Sequence, residues 1–301
     1  MSTLQSNRIE AESSVRPTVH TWFHEPSNTA CHCIIDPATK HCAVVDSVLD
    51  FDYAAACTHT EFADAIVAYI KAEGLTLDWL LETHAHADHI SAAPYIKRQL
   101  GGKIGIGEHI KDVQKVFGEL FHDPSIPRDG SPFDKLFADE EAFAIGRLQA
   151  YAMHTPGHTP ACVVYVVGDS AFVGDTLFMP DYGTARCDFP GGDAHILYRS
   201  VHKLYSLPPQ TKLYMCHDYM PGGREARWVC TVQEQREGNV QIHEGVAEDD
   251  FVAFRKQRDA KLSAPALILP SVQVNVRAGD MPPPESNGVS YLKIPINVFG
   301  H

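Results

Sequence analysis

Residues 83–89 read Thr83-His84-Ala85-His86-Ala87-Asp88-His89, so four strong metal-binding side chains fall within six consecutive positions. An apolar run at 77–81 precedes them and is typical of a buried strand, which places the cluster in the loop after that strand. His84 and His86 would point to opposite sides of a helix, whereas a loop can turn both rings toward one point. Imidazole nitrogens with a carboxylate suit Zn or Fe, not Ca or Mg. The stretch therefore predicts a transition-metal site at a strand end, in preference to a polar turn that happens to hold three histidines.

Length and charge limit the class of protein. With 301 residues the chain can hold one large domain or two smaller ones, and 44% hydrophobic and 21% charged residues describe an ordinary globular protein. The 25 basic and 38 acidic residues give a net charge of −13, which argues against nucleic acid and anionic membranes as partners. The N-terminus lacks a basic region followed by an apolar one, and no apolar stretch approaches the roughly 20 residues of a membrane span. We therefore expect a cytoplasmic protein.

Eight cysteines are scattered along the chain. Without a secretion signal, free thiols in a reducing compartment are expected rather than a disulfide framework. The run Cys31-His32-Cys33 has the look of a metal clip, but alternate residues of a strand face opposite ways. We predict a strand with two packed thiols there.

Strand and helix patterns alternate along the chain and predict an α/β fold. We assign residues 1–18 to an N-terminal arm, 19–246 to the main domain, and 247–301 to a C-terminal helix and tail packed on that domain. A loop at 122–131 is expected to be a lid near the site, and 289–298 is expected to be strand-like. Strand-like runs are at 29–35, 41–45, 77–81, 103–107, 142–153, 162–167, 171–173 and 212–216; helical patterns are at 61–73, 88–100, 108–120 and 194–207.

Three further metal-binding side chains each follow a predicted strand. His158 lies within Thr155-Pro156-Gly157-His158-Thr159-Pro160, Asp175 within Gly174-Asp175-Thr176-Leu177, and His217 begins His217-Asp218-Tyr219. Together with residues 84–89 they resemble the HxHxDH signature and the later ligand positions of the metallo-β-lactamase superfamily. These motifs cover roughly residues 30–220. The resemblance implies an αββα sandwich of two mixed sheets flanked by helices, with the metal site on the rim between the sheets.

Within that superfamily the chain is similar to the branch of glyoxalase II and the persulfide dioxygenases. Three features favour the dioxygenases: Arg186-Cys187-Asp188-Phe189, the HDY motif at 217–219, and the helix beginning at 231–236. Three features depart from the pattern, namely an arginine loop at 182–185 without cysteine, an extra loop at 119–140 and a long C-terminal tail. The departures bear on the substrate pocket more than on the metal.

The resemblance to persulfide dioxygenases implies one Fe(II) per chain, bound by His84, His158 and Asp175. The remaining side chains of the cluster would fix the orientation and tautomer of the ligands or form a second metal position: His86, Asp88, His89 and His217. The implied reaction converts glutathione persulfide, O2 and water to sulfite and glutathione. The alternative is a glyoxalase-II-like hydroxyacylglutathione hydrolase with a dinuclear metal site, and a third reading is a non-catalytic sulfide or redox sensor.

The carboxylates of glutathione need cationic partners. Arg186 is the first candidate for substrate binding, followed by Arg224 and Arg227. Tyr219 is a candidate catalytic residue that hydrogen-bonds substrate or oxygen. Asp188 either orients a ligand histidine or forms a salt bridge with Arg186. We also expect a homo-oligomer.

Overall fold

The structure, a computed structural model, describes residues 4–10 and 16–298. Its first sheet has seven strands, and it is mixed, because β4, β7, β9 and β10 are parallel and β1 to β4 are antiparallel. In spatial order the strands are β1 (Gln5–Ile9), β2 (Thr18–His24), β3 (Thr29–Ile35), β4 (His41–Val45), β7 (Thr76–Leu81), β9 (Lys103–Gly107) and β10 (Lys135–Phe137).

A second mixed sheet has six strands. Only β14 and β15 run parallel within it, and the other neighbours are antiparallel. In spatial order these strands are β11 (Ala142–Ile145), β12 (Leu148–His154), β13 (Val163–Val167), β14 (Ser170–Phe172), β15 (Lys212–Tyr214) and β16 (Val229–Thr231). A small third sheet joins β5 (Val48–Asp52), β6 (Cys57–His59) and β8 (Ile90–Ser91).

Seven helices cover the outer faces of the two large sheets in the described part of the chain. The first sheet is covered by α1 (Glu61–Ala72), α2 (Ala93–Leu100), α3 (Ile110–Leu120) and α7 (Ile268–Asn275). The second is covered by α4 (Ala194–Tyr205), α5 (Val232–Gly238) and α6 (Glu248–Asp259). The order helix, sheet, sheet, helix confirms the αββα sandwich.

The inner faces of the sheets pack against each other. Leu81 and Val45 of the first sheet and Tyr165 and Phe172 of the second belong to one buried cluster. Burying apolar side chains on both faces of each sheet stabilises the sandwich and fixes strand register, since a one-residue slip would turn each side chain to the wrong face.

The structure corrects several sequence-based assignments. Residues 5–9, assigned to a loose arm, form an edge strand paired with β2, while 1–3 and 11–15 lie outside the described residues. Residues 289–298 form no strand, and the helix expected from 88 begins at Ala93. None of residues 122–131 lines the cleft that the described residues form; instead Asp123 of this loop pairs with Arg277, two residues after the end of α7.

The hairpin of β5 and β6 and the helix α7 were not predicted. The run Cys31-His32-Cys33 does lie on β3 with both thiols buried and free, as expected. Among the described residues, none of the helices combines the length and the apolar character that crossing a bilayer requires.

Candidate metal centre

Parallel strands bring the metal-binding side chains to one edge of the sandwich. β4 and β7 are parallel neighbours, so Asp46 and the 83–89 loop leave the first sheet at the same edge. β14 and β15 are parallel neighbours in the second sheet and deliver Asp175 and His217 in the same way. A bridge between Thr29 and His217 joins the two sheets there. The carboxyl ends of parallel strands therefore converge on one site, as is usual in α/β proteins.

Two histidines and one carboxylate form the first donor set. The donor atoms of His84, His158 and Asp175 all lie within 4.8 Å of one another. Asp175 Oδ2 is 3.9 Å from His84 Nε2 and 3.6 Å from His158 Nε2. Burial lowers the pKa of His84 well below the usual histidine value, so its ring is neutral and keeps a lone pair for a metal.

A second donor set lies beside the first. It consists of His86, Asp88, His89 and His217, whose donor atoms also lie within 4.8 Å of one another. His217 Nε2 is 3.2 Å from Asp88 Oδ2 and 3.4 Å from Asp175 Oδ1, so Asp175 faces both sets. Burial opposes ionisation of Asp88, but the neighbouring His217 and His89 outweigh it and hold its pKa well below the usual range.

The donor atoms of both sets fit a bound cation. His86 Nδ1, Asp88 Oδ2, His89 Nε2 and Asp175 Oδ1 are buried without a hydrogen-bond partner among the described residues. Buried polar atoms are otherwise almost always paired, because an unpaired one costs about 1–3 kcal/mol. Three of these atoms belong to the second donor set and the fourth, Asp175 Oδ1, faces His217 of that set, and a metal ion that accepts their lone pairs would explain them.

Hydrogen bonds fix which nitrogen each ligand histidine offers. His158 Nδ1 donates to the carbonyl of Arg186 at 2.7 Å, which leaves Nε2 unprotonated toward Asp175. His84 Nδ1 lies 3.0 Å from Thr83 Oγ1, which itself donates to Asp46 Oδ2 at 2.9 Å. Thr83 Oγ1 then accepts from His84, and the free Nε2 of His84 points to the site.

Asp46, which the sequence did not single out, hydrogen-bonds the loop of residues 83–89, which we call the metal loop. It accepts from the Thr83 amide at 2.8 Å and from His86 Nε2 at 3.0 Å, and it has a left-handed φ of 51°. Burial works against a charged His86, but Asp46 and Glu82 outweigh it and raise the pKa of His86 well above the usual value. Since Nε2 of His86 hydrogen-bonds Asp46, only Nδ1 can reach a metal, and a metal ion there would have to displace the proton that the charged ring carries on Nδ1.

Asn275 at the end of α7 also acts on the metal loop and was not predicted. Its side-chain amide donates to the carbonyls of His86 at 2.9 Å and His89 at 2.8 Å, and its oxygen accepts from the Ser91 amide at 2.9 Å. No sequence motif marks this contact, because 184 positions separate Asn275 from Ser91.

Gly174 allows the Asp175 turn to approach the metal loop. Its φ is +51°, and a Cβ at this position would lie 2.5 Å from Thr83 Oγ1. Any larger residue would push Asp175 away from His84.

A cleft of ≈ 380 Å³ opens onto the first donor set. His84, His158, Asp175 and Asp88 line it, whereas His86, His89 and His217 do not. Other lining residues form an aromatic wall: Phe178, Tyr182, Phe189 and Tyr219. Tyr219 has 37% of its surface exposed. Desolvation of its hydroxyl raises the pKa of that hydroxyl, which therefore stays protonated near neutral pH.

Three arginines line the same cleft. Arg186 forms two hydrogen bonds with Asp188, at 2.6 and 2.7 Å, and donates to the Ser263 carbonyl. Asp188 thus pairs with Arg186, and it is the Arg186 carbonyl that orients His158. Arg255 is buried and bound to Asp259.

Arg258, the third cleft arginine, lies over the Tyr182 ring at 5.7 Å. It has no carboxylate partner in the described part of the chain, so its guanidinium is available to a ligand.

Arg224 and Arg227 do not line the cleft as residues 4–10 and 16–298 form it. Arg224 is bound on both sides, by Asp181 and by the buried Asp218. The Arg227 amide donates to Asp218 at 2.6 Å. Arg255 and Arg258, which the sequence did not indicate, line the cleft beside Arg186, whereas contact of Arg224 and Arg227 with substrate stays a prediction.

Comparison with known proteins agrees with this geometry. Residues 27–217 match the family model of the metallo-beta-lactamase superfamily. A probable metallo-hydrolase of Burkholderia pseudomallei is 55% identical over 94% of this chain and 100% of its own length. Glyoxylase B2 of Dictyostelium discoideum is 52% identical over 90% and 94% of the two chains.

More distant relatives carry a dioxygenase name. The persulfide dioxygenase ETHE1 of Homo sapiens is 30% identical over 87% of this chain and 88% of its own. The crystal structure of ETHE1 from Myxococcus xanthus superposes with a TM-score of 0.70 at 26% identity, over 87% and 99% of the two chains.

Proposed function

The chain belongs to the metallo-beta-lactamase superfamily, and on that premise we propose that it is a persulfide dioxygenase. Its reaction combines one glutathione persulfide, one O2 and one water to give one glutathione, one sulfite and two protons. The terminal sulfur of the persulfide is oxidised and O2 is the oxidant, so no further reductant is needed.

One observation carries this proposal. Two histidines and two carboxylates line the cleft, and three of these side chains, His84, His158 and Asp175, form one donor set, whereas the three other histidines of the centre lie behind them. Such a set with open positions is the arrangement that non-haem Fe(II) oxygenases use. His84, His158 and Asp175 would hold one Fe(II) per chain, which supplies open positions for an anionic sulfur and for O2.

The cleft residues would bind and orient the substrate. Arg258 would pair with a glutathione carboxylate, because it lines the cleft with its guanidinium over the ring of Tyr182. Arg186 contributes positive charge nearby, although Asp188 already neutralises part of it. Tyr219 lines the cleft, and its hydroxyl would donate to the bound persulfide or oxygen. The aromatic wall keeps bulk water from the reacting sulfur.

Glyoxalase-II-like thioester hydrolysis is the second candidate. The second donor set favours it, because His86, Asp88, His89 and His217 gather around one point and leave three unpaired buried atoms there. The name of the 52% identical relative points the same way. A second metal ion held by this set would supply a hydroxide for hydrolysis near neutral pH.

Reconstitution with different metals separates the two candidates. Protein loaded with Fe(II) is compared with protein loaded with zinc, and each is given glutathione persulfide and S-lactoylglutathione. We expect about one tightly bound iron per active chain and persulfide-dependent O2 uptake with iron only. Two tightly bound zinc ions in an active thioesterase would overturn the proposal. Zinc in inactive protein would not, since zinc outcompetes Fe(II) at most sites of this type.

A further inference from the structure

A small hollow lies behind His158, next to the substrate cleft. The volume open to the centre of a water-sized sphere is ≈ 10 Å³, so the hollow can hold one small molecule. Ala87, His158 and Phe189 line both the hollow and the cleft, and the hollow is therefore adjacent to the first donor set.

Apolar side chains from three elements form most of its wall. Ala85 comes from the metal loop, Val113 and Phe117 come from α3, and Val272 comes from α7. All four are buried, at 2–6% exposure. Ala85 and Ala87 of the metal loop leave this space open, because a longer side chain at Ala85 would fill it.

The polar side-chain atoms of the lining already have partners, so they offer a water molecule at most one acceptor position, on Thr159 Oγ1. His158 Nδ1 donates to the Arg186 carbonyl, and Nε2 faces Asp175. Thr159 Oγ1 lies 3.1 Å from Cys162 Sγ and accepts from the Ala161 amide. Water needs two to four polar partners to stay in a buried cavity, whereas apolar hollows of this kind remain dry and take up apolar gases.

We propose that this hollow is a binding site for O2 on its way to the metal centre. The inference rests on the proposed dioxygenase function and adds to it the place where the gaseous substrate is held. O2 is small and apolar, so it partitions into a dry hollow better than into a water-filled cleft. The anionic persulfide then occupies the cleft from the arginine side without excluding O2.

Crystals of the iron-loaded protein pressurised with xenon test the site directly. We expect xenon density in the hollow of the wild type and its loss in Val113→Ile, where the added methylene fills the space. The matched control is Val116→Ile on the same helix, since Val116 packs against the same core without lining the hollow. Val113→Ala, which enlarges the hollow, should raise the xenon occupancy, and it serves if the isoleucine variant does not fold.

Steady-state kinetics complete the test. Val113→Ile should raise the KM for O2 by about three- to tenfold, equivalent to about 0.6–1.4 kcal/mol of gas binding, and leave the KM for persulfide unchanged. No xenon in the wild-type hollow, or an unchanged KM for O2 in Val113→Ile, overturns the inference while the dioxygenase function stands. Absence of any persulfide-dependent O2 uptake overturns both, and xenon in the hollow would then mark only a packing defect.

Discussion

His217 is the residue at which one-metal and two-metal centres differ most. Its Nε2 lies between Asp88 and Asp175, and the cleft does not reach it. With one iron on His84, His158 and Asp175, removing His158 removes a ligand, whereas removing His217 removes a supporting group. We predict that His158→Ala loses both iron and activity. His217→Ala should keep most of its iron and lose roughly 10–100-fold in activity.

Metal analysis of the two purified variants by mass spectrometry checks this prediction. His202→Ala, which removes an exposed histidine of α4 that belongs to neither the cleft lining nor the donor sets, is the control and should keep iron and rate. A His217→Ala protein as poor in iron as His158→Ala would show that His217 binds metal, and the mononuclear assignment would be wrong.

Arg258 is predicted to set the affinity for the glutathione part of the substrate. Because it has a place in the cleft and no carboxylate partner among the described residues, Arg258→Ala should raise the KM for glutathione persulfide by about tenfold with little change in kcat, the effect of one lost charge-assisted hydrogen bond. Arg199→Ala removes an exposed arginine of α4 and controls for net charge. Equal KM values for both variants would remove Arg258 from the binding site.

At the scale of single elements, β3 carries a buried histidine that links stability to pH. His32 lies between Thr21 Oγ1 and the Met215 carbonyl, each at 2.9 Å, and burial lowers its pKa to about 4. A folded pKa below the unfolded value of about 6.5 means that the unfolded chain takes up the proton first. The neutral ring therefore stabilises the fold above pH 6.5, and this contribution is lost as the pH falls toward 4.

Denaturant titrations at several pH values test the role of His32. His32→Gln should flatten the loss of unfolding free energy between pH 6.5 and 4 by up to about 3 kcal/mol relative to wild type. His59→Gln, at an exposed position on β6, should leave the slope as it is. The same slope in wild type and His32→Gln would mean that other groups determine the acid sensitivity.

The helix α7 is predicted to stabilise the metal loop through Asn275. Asn275→Ala leaves the buried carbonyls of His86 and His89 without donors, which should cost about 2–4 kcal/mol and speed iron release. Asn275→Asp matches the size but offers oxygens to both carbonyls, so it should release iron as fast as the alanine variant. Iron release to a chelator, followed by absorbance, measures this. Slow release from Asn275→Asp would show that shape matters rather than the donated hydrogen bonds.

The elements also show what a sequence can and cannot predict here. The predicted bounds of strands such as β3 and β9 agree with the observed ones, because an apolar run bounded by turn residues is a feature of the local sequence. The candidate metal donors, which the folded chain gathers at one site, could be picked out because each follows a strand in a compact motif. Asp46, Asn275 and Arg258 were missed, since each acts through contacts made only in the folded chain. Residues 289–298 alternate like a strand but are mostly exposed and form no strand.

At the scale of the whole molecule, the C-terminal segment divides into two parts with different roles. α7 supplies core residues such as Val272 and holds the metal loop, whereas the described tail after it is mostly exposed and contacts α7 through Gln273 and Lys293. We predict that a chain ending at residue 280 folds and binds iron, and that one ending at 266 does neither. Thermal unfolding and iron content check both truncations. Loss of iron in the longer truncation would give the tail a role at the site.

The expected homo-oligomer stays a prediction at this scale, and light scattering on the purified protein measures it. The net charge of −13 makes Arg258 more informative, because Arg186 and Arg255 are already paired with carboxylates and Arg258 brings a positive charge to the cleft that no carboxylate of the described chain pairs with. An anionic substrate is therefore expected to bind more weakly as salt rises. A neutral substrate would show no such dependence.

The most direct test of the account is the stoichiometry of one reaction. Iron-loaded protein is given a known amount of glutathione persulfide in an oxygen electrode, and sulfite and glutathione are then measured in the same sample. The account predicts one O2 consumed and one sulfite and one glutathione formed per persulfide, with no hydrolysis of S-lactoylglutathione. Hydrolysis of the thioester with no O2 uptake on persulfide would contradict it.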